Sequence, residues 1–201
     1  AAQKAAIATE ITGSAASCWG TQTKTWAANT KITGNVTISN SCVVTVEGDI
    51  WITGNLYASN STQIKASNSL GNTRADIMVD GSAGTVLSNS SKLVSNSSGT
   101  GFQIITYKSD AACSPDCTDV TGADLNNSRN DTTISLSNSS EGPNSIFYAR
   151  WTRVQINNSG QIGAIVGQTI QLSNSATITF GTSVGTGTNF WIIDTYRRLF
   201  D

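Results

Sequence analysis

The sequence predicts an all-β protein, a parallel β-helix (solenoid) with coils of about 16–22 residues, preceded by a short N-terminal α-helix. Two repeats and the composition carry that prediction. A hexad of apolar, polar and small or apolar residues ending in Ser/Asn-Asn-Ser occurs as VTISNS at 36, LYASNS at 56, IKASNS at 64, ISLSNS at 134, VQINNS at 154 and IQLSNS at 170. Looser copies, TVLSNS and KLVSNS, stand at 85 and 92. A longer unit is visible as well: ITGNVTISNS at 32 returns twenty residues later as ITGNLYASNS at 52. Asn138 likewise precedes Asn158 by twenty residues, and Asn174 follows sixteen after that. Charged residues make up only 12% of the 201-residue chain and hydrophobic ones 38%, so Ser, Thr, Asn and Gly must cover a polar, nearly uncharged surface. A single elongated domain is the simplest organisation for this length.

Taken along the chain, AAQKAAIATEITG reads as an Ala-rich helix over residues 1–17, with Ile7 and Ile11 on one face and Gly13 as its C-terminal cap. So short a helix is marginal alone. It either docks on the body or forms the lower end of a longer upstream helix, the second being preferred. Residues 18–201 form the solenoid. Within ITGNVTIS, alternation turns Ile32, Val36 and Ile38 to one side and Thr33 and Thr37 to the other. Gly-Asn and Ser-Asn-Ser then turn the chain, because Gly and Asn accept positive φ cheaply. If the turns superpose, Asn40, Asn60, Asn138, Asn158 and Asn174 can hydrogen-bond in a ladder along the axis. An ordinary solvent-exposed turn is the alternative. From about 101 to 132 the repeat breaks, and this run reads as a disulfide-pinned excursion from one coil. The tail NFWIIDTYRRLFD alternates as a last strand that caps the column or docks on a neighbouring subunit.

Cys18, Cys42, Cys113 and Cys117 allow three pairings and carry no Cys-x-x-Cys spacing. Cys113 and Cys117 enclose Ser-Pro-Asp, a turn-forming insert, so a local bridge there leaves Cys18 to pair with Cys42. Buried free thiols are the alternative, although a cytosolic chain would be expected to carry more charge. Zinc is not expected, since a chain without histidine would need an all-cysteine site and the two cysteine pairs lie far apart.

Composition also narrows the chemistry. Without histidine no Ser-His-Asp or Cys-His arrangement can be built. The acids of the regular coils, Glu47, Asp49, Asp76, Asp80 and Glu141, recur at no fixed interval, and the chain is expected not to be an enzyme. Asp110, Asp116, Asp119, Asp124 and Asp131 match no calcium loop, and neither metal nor cofactor is expected. A net charge of −1 with no long basic run argues against nucleic acid and anionic lipid as partners, and membrane contact is expected only through an upstream segment. Binding is the stronger rival to a purely structural role. Among Trp19, Trp26, Trp51, Trp151 and Trp191, with Tyr57, Tyr107 and Tyr148, the candidates for ligand or partner contact are Trp51, Tyr57 and Trp151, the last flanked by Arg150 and Arg153. Core packing for the aromatics and a solvated strand face for the arginines are the bland alternatives. Sequons at Asn35, Asn60 and Asn130 follow from the repeat itself and leave glycosylation open.

From Ile146 to Phe180 the chain reads IFYARWTRVQINNSGQIGAIVGQTIQLSNSATITF. This stretch resembles the C-terminal β-solenoid segment of PilX-like and related pilus-assembly or minor-pilin-like bacterial surface proteins, with Tyr148-Ala149, Gly163 to Gly167 and Phe180 at the corresponding places. The family more often has Gly where this chain has Asn at its turns, and often Tyr-Asp where this chain has Phe180-Gly181. The resemblance implies an exported, displayed structural module of a pilus or cell-surface appendage, with other pilus or surface-protein subunits as partners and no catalytic residue. It also implies a hydrophobic segment upstream of the N-terminal helix. Two alternatives stand beside it: an adhesin that binds glycan or host protein through its aromatics or the 101–132 excursion, and a self-polymerising filament similar in principle to bactofilins.

Overall fold

The computed structural model describes residues 4, 7–106 and 131–178. Short strands follow one another in groups of three. The first group is β1 (Thr9–Thr12), β2 (Cys18–Trp19) and β3 (Thr23–Trp26), and the second is β4 (Thr30–Thr33), β5 (Val36–Ser39) and β6 (Val43–Val46). Then come β7 (Ile50–Ile52), β8 (Leu56–Ala58) and β9 (Gln63–Ala66), followed by β10 (Ala75–Val79), β11 (Thr85–Leu87) and β12 (Lys92–Val94). β13 (Phe102–Thr106) and β14 (Thr132–Leu136) lead into β15 (Glu141–Ile156) and β16 (Gln161–Leu172), each of which runs through the corners, and β17 (Thr177–Ile178) is last.

Each early strand pairs in parallel with the strand three places later: β1 with β4, β4 with β7, β7 with β10, and β10 with β13. The same rule joins β2, β5 and β8, and β3, β6 and β9. The result is an all-β protein whose parallel sheet curls on itself, consistent with a β-solenoid. Parallel strands cannot be joined by tight hairpins. Here the rest of each coil serves as the connection.

Register explains why the repeat is so strict. Ile32 lies beside Ile52, Val36 beside Leu56, and Ile38 between Cys18 and Ala58. All of these are fully buried, apart from the 2% exposure of Ala58, whereas Thr33 and Thr37 between them are exposed. The inward row continues through Ile50, Ile77, Ile104, Phe147 and Ile165. A single coil turns in only a few such side chains, each worth about 1.5–3 kcal/mol when buried. Ordering its backbone costs about 1–2 kcal/mol per residue. A coil is therefore stable only when its edge and its apolar face meet a neighbouring coil.

The expected N-terminal helix over 1–17 is not what forms. Thr9–Thr12 is a strand in parallel register with Thr30–Thr33, and only Gly13–Ala16 makes a single helical turn, α1. The β-branched run Thr9, Ile11, Thr12 suits a pleated edge, and four ladder positions on β4 outweigh a helical preference that is weak at this length. Gly13 opens α1 and does not cap a helix. A Cβ there would stand 2.1 Å from the carbonyl oxygen of Asn35, so only glycine allows this approach.

Regular strands reach inside the bounds expected for the excursion at 101–132. Phe102–Thr106 and Thr132–Leu136 are both strands in register with neighbouring coils. Residues 107–130, including Tyr107, Cys113, Cys117 and Asn130, lie outside the described residues, as do Phe180, Trp191 and the tail. Spacings between superposed turns are 20, 29, 49, 20 and 16 residues, wider than the 16–22 expected. In the 29-residue step, part of the added length is a short 3-10 turn at Asn68–Leu70.

The first and last described coils differ. At the N-terminal end the buried Trp26 donates from Nε1 to the Ala16 carbonyl at 3.1 Å, and Lys24 Nζ donates to the Ala15 carbonyl. Ser17 Oγ donates to the Gly13 carbonyl at 2.6 Å and accepts from Thr37 N–H, locking α1 over the first coil. Cys18 and Cys42, both fully buried and 6.1 Å apart at Cα, form a disulfide between the first two coils. On β16, Ile170 and Leu172 stand in register with the buried Val154 and Ile156 but are each 41% exposed.

Candidate functional site

One corner of the coil carries a continuous chemical feature. Asn40, Asn60, Asn89, Asn138, Asn158 and Asn174 all have φ between 50° and 59°, and the serine after each is also left-handed. Asn is the side chain that tolerates this conformation best after Gly. With the backbone so held, each amide reaches the previous coil: Asn60 Nδ2 donates to Asn40 Oδ1 at 3.1 Å and Asn89 to Asn60 at 3.1 Å. Asn138 donates to Asn89 at 2.9 Å, Asn158 to Asn138 at 3.0 Å, and Asn174 to Asn158 at 2.9 Å. The main chain doubles the ladder, because Ser41, Ser61, Ser90, Ser139 and Ser159 each donate their N–H to the asparagine carbonyl of the next coil. These asparagines are exposed, so the ladder orders surface turns and does not relieve buried amides.

Asn89, from the looser copy TVLSNS, bridges Asn60 and Asn138 and was not among the expected rungs. The other SNS copies behave differently. Asn68 accepts from Ser97 N–H at 2.9 Å, and Asn96 Nδ2 donates to the Gly71 carbonyl at 2.7 Å, so these two turns sit together at another corner. A third corner explains ITGN: Asn35 Oδ1 accepts from Asn55 N–H at 2.9 Å, and Asn55 Oδ1 accepts from the N–H groups of Ala83 and Gly84.

Beside the ladder lies a shallow open groove of about 620 Å³ lined by Asn40, Ser41, Asn60, Ser61, Asn89, Ser90 and Asn138. The triplets that form this corner, 39–41, 59–61, 88–90, 137–139, 157–159 and 173–175, hold no charged residue. Trp19, 58% exposed, stands at the N-terminal end of the same corner, in register with Ser39.

The residues expected to contact a ligand are dispersed. Trp51, on β7, is half-buried: its Nε1 donates to Asp80 Oδ2 at 2.6 Å, and the amines of Lys4 and Lys31 lie 5.0 and 5.2 Å from its ring centre. Lys4 is ion-paired to Asp80 at 2.7 Å. With a polar edge bonded and two cations against it, this ring is engaged by its own protein. Tyr57 is on β8, between Thr37 and Val86 in register. Arg150 lies 4.3 Å over Trp151, and Arg153 is in register with Thr132 and Thr169. None of these lines the groove beside the ladder.

Elsewhere the charges serve as straps. Lys31 reaches Glu10 Oε2 at 3.1 Å, Thr33 Oγ1 donates to Glu10 Oε1 at 2.5 Å, and these contacts hold the Glu10 carboxyl below its ordinary pKa, the threonine bond being the larger cause. Arg74 donates to the carbonyls of Phe102 and Asn144, and burial lowers its pKa while Asp76 opposes the shift. Among the described residues, no three of Cys, Asp and Glu converge to hold a metal ion, and no helix is long and apolar enough to cross a membrane.

Fold and surface together define an all-β protein of stacked parallel coils whose continuous surface feature is an uncharged amide and hydroxyl corner. Comparison with protein-family models, curated proteins and solved structures finds no match.

Proposed function

We propose that this chain is a non-enzymatic, extracellular structural module, a parallel β-helix displayed on a pilus or other bacterial surface appendage. The ladder from Asn40 to Asn174, doubled by backbone bonds, carries the reading. It gives five successive coil-to-coil steps the same geometry, which is what a stiff spacer needs and what a hinged catalytic cleft would not use. The Cys18–Cys42 disulfide supports an oxidising compartment. The resemblance of 146–180 to minor-pilin-like proteins supports the appendage.

Head-to-tail polymerisation is the weaker reading, because α1 is already bonded to Lys24 and Trp26 of the first described coil. Shearing of the native bacterium, followed by immunoblotting and immunogold microscopy, tests the proposal. The protein should leave with the sheared appendages and carry its disulfide. Recovery in the cytosol with both thiols reduced would refute it.

A further inference from the structure

We propose that the corner around Trp19, Gly20 and Asn40 binds a neutral, linear glycan that lies along the asparagine ladder. One residue beyond the Trp19–Ser39 register pair, Gly20 occupies the position of the next rung. Its φ of 67° is left-handed like the 57° of Asn40, although Thr21 after it does not share the left-handed φ of Ser41. It has no amide to offer, and nothing lies within 4 Å of where its Cβ would stand. The ladder thus stops at an open gap. Asn40 Oδ1 is taken by Asn60, whereas its Nδ2, the group that would reach back across that gap, has no partner among the described residues. Trp19 stands beside the same gap and is the most exposed large apolar side chain among the described residues.

An exposed indole beside an unpaired amide suits a molecule with one flat apolar face and hydroxyls around its rim. A sugar ring has both. Along the groove the chemistry continues in the same terms. Each inner rung uses one amide hydrogen and one acceptance on its carbonyl oxygen, leaving a second hydrogen and a second lone pair. The hydroxyls of Ser41, Ser61 and Ser90 make no hydrogen bond among the described residues. These groups recur at the strand spacing of about 4.8 Å, which presents a chain of sugars with donors and acceptors at regular intervals. The absence of charge in the corner disfavours nucleic acid and acidic polymers. An added peptide strand is disfavoured too, because the serine N–H groups from Ser41 to Ser159 are already bonded between coils.

This inference does not depend on the appendage reading, and its test needs only the purified, oxidised protein. Calorimetric titration with cellohexaose and with the hexamer of N-acetylglucosamine should show binding of at least one. Trp19→Ala should weaken it at least tenfold, as loss of an anchoring tryptophan does. Gly20→Asn should weaken it as strongly while the melting temperature stays level or rises, since the new side chain extends the ladder and fills the gap. Trp51→Ala, away from the corner, should leave affinity unchanged. Failure of both sugars to bind at millimolar concentration, or binding indifferent to Trp19→Ala and Gly20→Asn, would overturn the proposal.

Discussion

Asn138 Nδ2 donates to Asn89 Oδ1 at 2.9 Å across 49 residues of sequence, the longest step of the ladder. That step crosses the segment where the repeat is interrupted, yet the backbone bond from Ser90 N–H to the Asn138 carbonyl keeps its length of 2.8 Å. The corner, and not the spacing in sequence, is what the fold preserves.

Substitution at Asn89 separates the two contributions of a rung. Asn89→Gly keeps the left-handed backbone and loses two amide bonds, and it is expected to cost about 1 kcal/mol because these bonds are exposed. Asn89→Ala loses the same bonds and adds about 1 kcal/mol of left-handed strain. Equilibrium denaturation in guanidinium should rank wild type above Gly and Gly above Ala. A glycine variant as stable as the wild type would show that the side-chain ladder contributes nothing.

At the ITGN corner the prediction is steric. A Cβ on Gly54 would lie 2.5 Å from the Gly34 carbonyl carbon and 2.6 Å from Asn35 N, both backbone atoms of the preceding coil. Gly54→Ala must push two coils apart and should lose about 3 kcal/mol. Gly71→Ala would strain the backbone without moving a coil, for a φ of 55° with a ψ of −120° suits glycine while no atom lies within 4 Å of a Cβ. A Gly54→Ala variant with the guanidinium midpoint of the wild type would contradict this account of the corner.

How much of this was legible in the sequence depends on whether a feature is local. Ile32, Val36 and Ile38 announce their burial by alternation, and Asn40 and Asn60 announce their stacking by a spacing of 20. Asn89 was obscured because the turn at Asn68–Leu70 falls within the step that leads to it, and that step is 29 residues long. Thr9–Thr12 follows an Ala-rich run that reads as helix, and its strand state comes from pairing with Thr30–Thr33, a long-range term no local window contains. The gap at Gly20 has no motif of its own. It becomes visible only when the 20-residue frame is carried back one coil from Asn40 and the open space beside Gly20 is seen.

The disulfide should matter most in the first described coil, whose strands pair only with the coil that follows among the described residues. Cys18 and Cys42, 24 residues apart, tie the first coil to the second, and closing a loop of that size contributes about 3 kcal/mol. The double variant Cys18→Ala/Cys42→Ala should lose about that much in guanidinium. Hydrogen exchange should show the loss concentrated at Thr23–Trp26, with the ladder from Asn89 onward still protected. Uniform loss of protection along the chain would instead mean that the coils unfold as one unit.

Glu10 gives a pH-dependent counterpart at the same end of the molecule. Its carboxylate accepts from Thr33 and Lys31 on β4, and both contacts favour the charged form, so its folded pKa lies below that of the unfolded chain. A lowered pKa means that the contribution to stability is present above the ordinary glutamate value of about 4.3 and is lost as pH falls through the folded value. Glu10→Gln should therefore be less stable than the wild type at neutral pH, by a small margin because the group is exposed. The difference should vanish in acid and shrink in high salt. Carboxyl-carbon NMR should show Glu10 titrating below free glutamate, and Thr33→Val and Lys31→Gln should each move that midpoint upward, since the threonine bond and then the lysine bond and charge hold it down. A midpoint at or above the free value would remove Glu10 from the contacts that bind β1 to β4.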